Sequence, residues 1–315
     1  MRCLVIGGNG FIGSHVVDAL IEDGHEVTVF DRFDDDPTYV GAPAAEIVGD
    51  FLNNGDVRGA VKGQDVIYHL LSTTTPATAE EDPLIDVRTN IPGSIDLFRE
   101  AVDAGVGHVY YASSGGAIYG SHTEGAVSEE AVAAPVSPYA IGKLAIEQYL
   151  AYFERKHGLR STVFRISNPY GPRQHALRRQ GVIPIFLRNL ADGRPLTVFG
   201  DGTMVRDYIY VTDLAAMLVT PLGRDAAHRV YNLGSGTGHS INEIIDGIHQ
   251  ATGIEPTLVR QQVPSTFVDR ITLDVSRFHA EFGAIANPTT LLDGIVATWN
   301  EIKAQDAARR SVRAF

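Results

Sequence analysis

Arg2-Cys3-Leu4-Val5-Ile6-Gly7-Gly8-Asn9-Gly10-Phe11-Ile12-Gly13 is the stretch that decides the fold. An apolar run, Arg2–Ile6, passes straight into glycines and then into a helical pattern, Phe11–Asp23. The glycines satisfy G-x-G-x-x-G from Gly8 and G-x-x-G-x-x-G from Gly7. In that setting they permit a tight turn, let the backbone approach a pyrophosphate and allow helix and strand to pack closely. The helix behind them presents free N–H groups and partial positive charge to phosphate. Asp31 ends the second predicted strand, Glu26–Phe30, at the separation of about twenty residues that such a fingerprint requires. A carboxylate there accepts ribose hydroxyls and repels a 2′-phosphate, which favours NAD over NADP, with Arg32 as the opposing charge. Gly7, Gly10, Phe11, Ile12, Gly13, Asp31 and Arg32 are therefore cofactor-binding candidates, and Asp50-Phe51 after the third strand offers an adenine contact.

Outward from this unit, short β-branched runs alternate with longer helical patterns. The predicted strands are Arg2–Ile6, Glu26–Phe30, Glu46–Val48, Asp65–Leu71, His108–Ala112 and Ser161–Ile166, and the helices are Phe11–Asp23, Pro83–Ala104 and Pro138–His157. Gly24, Gly105 and Gly158 follow the three helices, where a left-handed residue is wanted. Such alternation predicts an α/β fold, a Rossmann-type doubly wound parallel sheet. After Asn168 prolines punctuate shorter elements: strands at Tyr208–Val211 and Val230–Leu233, helices at Asn242–Ala251 and Leu291–Lys303. We read residues 1–167 as the NAD-binding domain and 168–315 as a smaller C-terminal α/β substrate lobe, with about 205–233 returning to the large sheet. The basic tail from Ala307, with Arg309, Arg310 and Arg313, is expected to fray.

Composition excludes whole classes. The 315 residues are 44% hydrophobic and carry 26 Lys+Arg against 38 Asp+Glu, a net charge of -12. That balance opposes nucleic-acid binding and attraction to anionic membrane surfaces. The lone cysteine, Cys3, rules out a disulfide framework within one chain. No apolar run approaches the roughly 18 residues of a membrane span, and the apolar start reads as a strand, not a signal peptide. The 11 histidines form no ligand pattern, so no metal is expected. The expectation is a soluble, cytoplasmic protein.

A second constellation carries chemistry. Ser137-Pro138-Tyr139-Ala140-Ile141-Gly142-Lys143 opens a helix, placing Tyr139 and Lys143 one turn apart on one face. A phenol with a pKa near 10 is a poor base at neutral pH, and a neighbouring ammonium with an oxidised nicotinamide would lower it. Tyr139 can then exchange a proton with a substrate hydroxyl.

Together these motifs resemble the extended short-chain dehydrogenase/reductase family, in its nucleotide-sugar epimerase/dehydratase group. The resemblance runs over almost the whole chain: Gly7–Gly13, Asp31, Tyr68-His69-Leu70, Asn90, Ser113–Gly120, Tyr139/Lys143, Arg165–Pro172, Gly200–Asp213, Tyr231–Gly236 and Ser240–Ile244. It implies further NAD contacts from Leu70, Leu71, Ser72, Asn90, Ser113, Ile166 and Ser167. It also implies a nucleoside-diphosphate sugar, UDP-linked by preference, held by Thr74, Asn168, Val182 and Val198, with Phe199 at the base and Arg206 at the diphosphate. A homodimer is implied as well, through the Pro83–Ala104 and Pro138–His157 helices packing as a four-helix bundle.

The chain departs from the pattern in two places. Relatives keep a catalytic Ser or Thr five residues before the Tyr-Gly glycine, where this sequence has Gly115; Ser114, or Ser113, is the candidate replacement, with Thr73, Thr74 and Thr75 as a second source. Dehydratases resembling it place an acidic pair in the next two positions, here Gly116 and Ala117, and decarboxylases a Glu at the latter. Near Val263, relatives clamp the diphosphate with an Arg; Arg270 is the candidate substitute, and Arg173, Arg178 and Arg179 form a basic cluster. The resemblance thus implies an NAD-dependent epimerase inverting C4 of a UDP-hexose through a 4-keto intermediate, with Tyr139, Lys143 and Ser114 catalytic. A sugar-nucleotide dehydrogenase or ketoreductase, and a non-catalytic dinucleotide sensor, are the alternatives.

Overall fold

The computed structural model describes the chain except residues 122–124, 175–179, 265–266 and 314–315, and the side chains of 308–313. Its first part comprises β1 (Arg2–Ile6), α1 (Phe11–Glu22), β2 (Glu26–Asp31), β3 (Ala45–Val48), α2 (Asn54–Val61) and β4 (Val66–His69). There follow α3 (Pro76–Glu81), α4 (Ile85–Arg88), α5 (Asn90–Asp103), β5 (His108–Ser114), α6 (Gly115–Ile118), α7 (Pro138–His157) and β6 (Arg160–Ile166). The second part holds β7 (Asn168–Tyr170), α8 (Val182–Ala191), β8 (Leu196–Phe199), β9 (Val205–Tyr210), α9 (Val211–Val219) and β10 (Val230–Leu233). It ends with β11 (Gly238–Ser240), α10 (Ile241–Thr252), β12 (Leu258–Gln261), β13 (Arg270–Ile271), α11 (Ser276–Phe282) and α12 (Leu291–Arg313).

Seven strands form one sheet in the order β10-β6-β5-β4-β1-β2-β3, with every pairing parallel. The strand order reverses between β1 and β4, so a crevice opens at their carboxyl ends, where such sheets bind ligands. β1 shows why both faces are covered. Cys3 and Val5 face one side, packing with Val16, Val17 and Leu20 of α1 and Leu214 and Leu218 of α9. Leu4 and Ile6 face the other, against Val57 of α2, Leu97 and Phe98 of α5 and Leu150 of α7. The Rossmann architecture read from the alternation is present, and Gly24, Gly105 and Gly158 all adopt positive φ after their helices.

The structure differs from expectation in four elements. The helix read over Pro83–Ala104 is broken into α4 and α5, with α3 ahead of them. Pro92 cannot sit deep in a helix without clashing with the preceding turn, so a new helix starts at Asn90 and places it in the first turn. The strand read over Asp65–Leu71 contracts to Val66–His69, because Leu70 N–H still bonds Ile6 O (3.1 Å) but the chain then turns away over the crevice. α12 continues past the Lys303 end read for it, through Arg313, and so into the tail expected to fray from Ala307.

The fourth difference is the return to the large sheet. β9 pairs with β7, β11 and β13 in a separate sheet. Only then does α9 pack on α1, and β10 pairs with β6. The smaller lobe has its own core of Ile183, Leu187, Leu196, Val198, Ile244, Ile248 and Ile295. Among the described residues no helix is long and apolar enough to cross a membrane.

Candidate active site

The crevice is floored by the glycine turn. Gly7 has φ +83°, and a Cβ there would lie 2.9 Å from both N and Cα of Leu71, so the β1 and β4 ends meet backbone to backbone. A Cβ on Gly13 would stand 2.0 Å from Gly7 O, which only glycine avoids. The N-cap of α1, Gly10, brings no side-chain cap, so the first N–H groups of Phe11 and Ile12 stay directed at the crevice. Asp31 Oδ2 accepts from Asn9 N (3.0 Å) and Oδ1 from Arg32 N (2.8 Å), latching the glycine turn to the end of β2. The Arg32 guanidinium turns outward to Asp34 (3.0 Å). On the far side Ser167, after the buried Ile166, is itself buried with its hydroxyl unpartnered. The uncapped helix end, the bare glycine cradle, Asp31 and this orphaned hydroxyl together fit a dinucleotide.

Other cofactor candidates are placed differently. Asp50 is exposed and its Oδ1 holds Leu52 N (2.9 Å), whereas Phe51 is buried against His69 (ring centroids 5.2 Å apart). Phe51 is therefore a core residue. Asn90 is buried and fully engaged: Oδ1 accepts from Thr73 N (2.9 Å) and Nδ2 donates to Thr74 Oγ1 (3.0 Å) and Asp86 Oδ1 (2.5 Å). It ties down the turn after Leu70, Leu71 and Ser72 that overhangs the crevice. Thr74, buried, donates its hydroxyl to Asp86 (2.9 Å), and Thr73 and Thr75 likewise use theirs on Asn90 and Thr78. All three threonine hydroxyls are engaged in hydrogen bonds within the protein.

At the carboxyl end of β5 the catalytic candidates converge. Ser137 caps α7 through Ala140 N (3.3 Å), and Pro138 follows in its first turn, so α7 starts where Tyr139 and Lys143 face β5. Lys143 Nζ donates to Ala112 O (2.9 Å) and lies 5.1 Å from the Tyr111 ring and 5.8 Å from the Tyr139 ring. Burial pulls the Lys143 ammonium down to about 8, against the opposing charges of Asp86 and Glu147. Burial, with Asp86, pushes the Tyr139 phenol up to about 12; its hydrogen bond with Ser114 works against this. In the protein alone the phenol is raised rather than lowered, because desolvation and Asp86 outweigh the Ser114 hydrogen bond; the expected lowering also called on an oxidised nicotinamide.

Ser114 is the hydroxyl that reaches Tyr139. Ser113 is buried and donates to Glu147 (2.5 Å), which is in turn gripped by Arg165 (2.8 Å). At the next position a Cβ on Gly115 would fall 2.6 Å from Leu273 Cδ1 and 2.9 Å from Arg165 O, so no side chain fits that slot. On Gly116 it would come 3.3 Å from Asn168 Nδ2, whose amide donates to Asp207 O (2.9 Å).

The far wall belongs to the smaller lobe. Phe199 and Phe267 meet edge to face, centroids 5.3 Å apart, beside Val263. Val198, one residue earlier, is fully buried in the lobe core, so strand alternation removes it from the wall. Val182 is half-buried at the start of α8. Arg206 donates to the carbonyls of Val205 (2.8 Å), Asp269 (3.3 Å) and Val268, not to a carboxylate. Arg270 pairs opposite Val205 while Ile271 pairs opposite Arg206, so alternation sends the two arginines to opposite faces. Arg270 does not join Arg206 as a clamp. Arg173 is bound to Asp18 (2.7 Å); Arg178 and Arg179 lie outside the described residues. Sequence reasoning missed Asp86, Glu147 and Phe267, although Glu147 stands one turn beyond Lys143 on the same face. Among the described residues no group of three His, Cys, Asp or Glu gathers as a metal site.

A glycine-floored crevice at a parallel sheet's switch point, with a Tyr–Lys pair at the end of β5, defines a dinucleotide-binding protein of Rossmann architecture. The sequence model of the NAD dependent epimerase/dehydratase family matches residues 3–234. A putative UDP-glucose 4-epimerase of Methanocaldococcus jannaschii is 32% identical over 276 residues, 87% of this chain and 90% of that protein. A dTDP-glucose 4,6-dehydratase of Streptomyces niveus is 32% identical over 99% of this chain and 98% of its own length. Two solved structures superpose with a TM-score of 0.90 at 31% identity. The UDP-glucose 4-epimerase of Thermotoga maritima with UDP-glucose aligns over 97% of this chain and 99% of its own. That of Thermus thermophilus with NAD aligns over 96% and 99%. The chain belongs to the NAD dependent epimerase/dehydratase family, and NAD is its cofactor.

Proposed function

We propose that the protein is an epimerase of a nucleoside-diphosphate sugar that inverts C4 of a UDP-hexose. The observation that carries this reading is the composition of the site around the reacting position. Tyr139, Ser114 and Lys143 converge, while the adjoining Gly115, Gly116 and Ala117 offer no acid. Dehydration needs a further acid–base pair to move protons at the carbon next to the ketone, and the two positions where dehydratases place it are Gly116 and Ala117 here. Redox inversion at a carbinol needs only one proton acceptor and one donor.

Tyr139 accepts the C4 hydroxyl proton and returns it, with Ser114 sharing that proton across its hydrogen bond. Lys143 fixes the end of β5 through Ala112 O and sets the positive charge beside the phenol. Gly7, Gly10, Gly13 and the N–H groups of Phe11 and Ile12 hold the pyrophosphate, and Asp31 the adenosine ribose. Bound NAD+ supplies the reversible hydride acceptor and the positive charge that a phenol at about 12 lacks. Phe199 holds the base and Arg206, kept in place by its three carbonyl acceptors, faces the diphosphate. The similar epimerases solved with UDP-glucose and with NAD support the substrate class.

The test is incubation with UDP-glucose and UDP-galactose, read by NMR of the anomeric protons. Interconversion with no accumulating NADH is expected. Stoichiometric NADH identifies a dehydrogenase, and loss of the C6 hydroxyl identifies a dehydratase; either overturns the reading.

A dimer through α4, α5 and α7 belongs to the same proposal. Leu84, Val87, Ile141, Tyr149 and Tyr152 are exposed there, the last three at helical spacing along α7. A groove of about 180 Å³ lined by Pro83, Val87, Ile91, Pro138 and Ile141 runs between the helices. Light scattering at the mass of one chain would remove the dimer.

A further inference from the structure

Asp86 is an acid that the reaction as proposed does not use. It is 4% exposed, on the short helix α4, and its Cβ and Cγ stand 3.0 and 3.1 Å from where a Gly142 side chain would begin. The carboxyl is thus laid directly on α7, between the turns that carry Tyr139 and Lys143. Only neutral groups bind it: Thr74 and Asn90 donate to Oδ1, and Oδ2 is buried with no partner at all.

Lys143 has the opposite problem. Its buried Nζ has one hydrogen-bond acceptor, a carbonyl, and two aromatic rings. A buried ammonium requires a counter-charge. The charged and titratable groups around it are Tyr139 and Glu147 on α7, Tyr111 on β5, His69 on β4 and Asp86 on α4. The tyrosines and the buried histidine are neutral. Glu147 is already spent: Arg165 grips it through three donor contacts and Ser113 takes Oε1. That leaves one acid whose charge is not compensated.

We propose that Asp86 is a positioning residue of the Tyr139–Lys143 pair: its carboxylate supplies the negative charge that balances the buried ammonium of Lys143. The same group, through Thr74 and Asn90, anchors the turn over the crevice, so one side chain sets both the charge and the roof of the site. The proposal rests on the reading of Tyr139 and Lys143 as the catalytic pair, but its electrostatic content is independent of which sugar reacts.

The chain contains four lysines, Lys62, Lys143, Lys156 and Lys303, so each can be followed by NMR with 13C- and 15N-labelled lysine. In Asp86→Asn, which keeps the acceptor for Thr74 and loses the charge, the Lys143 midpoint falls by about one pH unit while the other three stay. The smaller Asp86→Ser removes the same charge without demanding space beside Gly142 and gives the same shift. Thr74→Val, which removes a hydrogen bond but no charge, leaves the midpoint in place. Both limbs of the pH–rate profile of Asp86→Asn move to lower pH, since the lost charge had favoured the protonated form of each partner. A folded Asp86 variant with an unmoved Lys143 midpoint overturns the proposal, as does lost activity with an unmoved profile. A shifted midpoint in a protein that does not epimerise UDP-hexoses overturns the proposed function and leaves the role of Asp86 standing.

Discussion

The hydroxyl of Ser114 is hydrogen-bonded to the phenol of Tyr139 across the gap between the end of β5 and the first turn of α7. That hydrogen bond forms one position before the slot where relatives carry their hydroxyl. It makes Ser114 the group that shares the proton Tyr139 takes. Ser114→Ala should lower kcat about 100-fold, the low end of what a positioned proton-transfer group contributes, with KM changed little. Wild-type turnover in Ser114→Ala would remove the residue from the mechanism.

The neighbouring glycine yields the converse expectation. Because Leu273 and the Arg165 carbonyl occupy the space, Gly115→Ser should restore nothing to Ser114→Ala. By itself it should lose about 1–3 kcal/mol of stability, the usual cost of overpacking a filled site. Denaturant unfolding of the two variants and their combination checks both parts; rescue of activity by Gly115→Ser would mean the loop has a second arrangement.

How much of this was legible beforehand depends on the range of the interaction. The glycine turn, Asp31 and the Tyr139/Lys143 spacing are local patterns whose chemistry follows from neighbours in the chain, and the structure puts them around one crevice. The sequence put Ser114 ahead of Ser113 but could not show the reason, which is Glu147, 34 residues from Ser113, accepting the Ser113 hydroxyl. Thr74, Val198 and Phe51 read as ligand residues by position, yet tertiary packing turns each into the interior. Arg270 failed for a subtler reason: a strand register shift of one residue decides which face a side chain occupies. Asp86 was invisible, since only the approach of α4 to Gly142 gives it a role.

Acid sensitivity follows from the buried histidines. Burial lowers His69 to about 3 and His15 to about 4, whereas in the unfolded chain they titrate near 6.5. Between those values the unfolded state binds more protons, so stability is full above about pH 6.5 and is lost as pH falls toward 4. At pH 5 the loss should be of order 1–2 kcal/mol for each ring. Thermal unfolding from pH 7 to 4.5, with imidazole 15N shifts, tests this; rings that protonate near pH 6.5 in the folded protein would contradict it.

Cofactor retention should depend on Gly13 more sharply than on any polar contact. Gly13→Ala drives a methyl to within 2.0 Å of Gly7 O, so the turn must open and the uncapped end of α1 is displaced from the phosphates. The variant should fold but be recovered without NAD, with affinity lowered at least about 100-fold, as loss of several phosphate hydrogen bonds implies. Calorimetric titration with NAD reads this directly, and unchanged affinity would place the pyrophosphate elsewhere.

The buried lysine makes the same kind of pH demand as the histidines, in a higher pH window, when NAD is absent. Lys143 titrates at about 8 when folded, against an ordinary value of 10.5, so between those values the unfolded chain holds more protons. Stability of the NAD-free protein should therefore rise with pH from about 8 toward 10, as the burial penalty on the ammonium disappears, by up to about 3 kcal/mol. Above 10 the trend reverses, because Tyr139 keeps its proton to about 12 in the folded state while an unfolded tyrosine loses it near 10. Lys143→Met, which keeps the aliphatic stem and drops the charge, should lack the rise and be more stable than wild type at pH 7. Matching thermal midpoints for the two proteins at pH 7 and pH 9.5 would show that the ammonium is solvated, and would move Lys143 out of the buried site assigned to it.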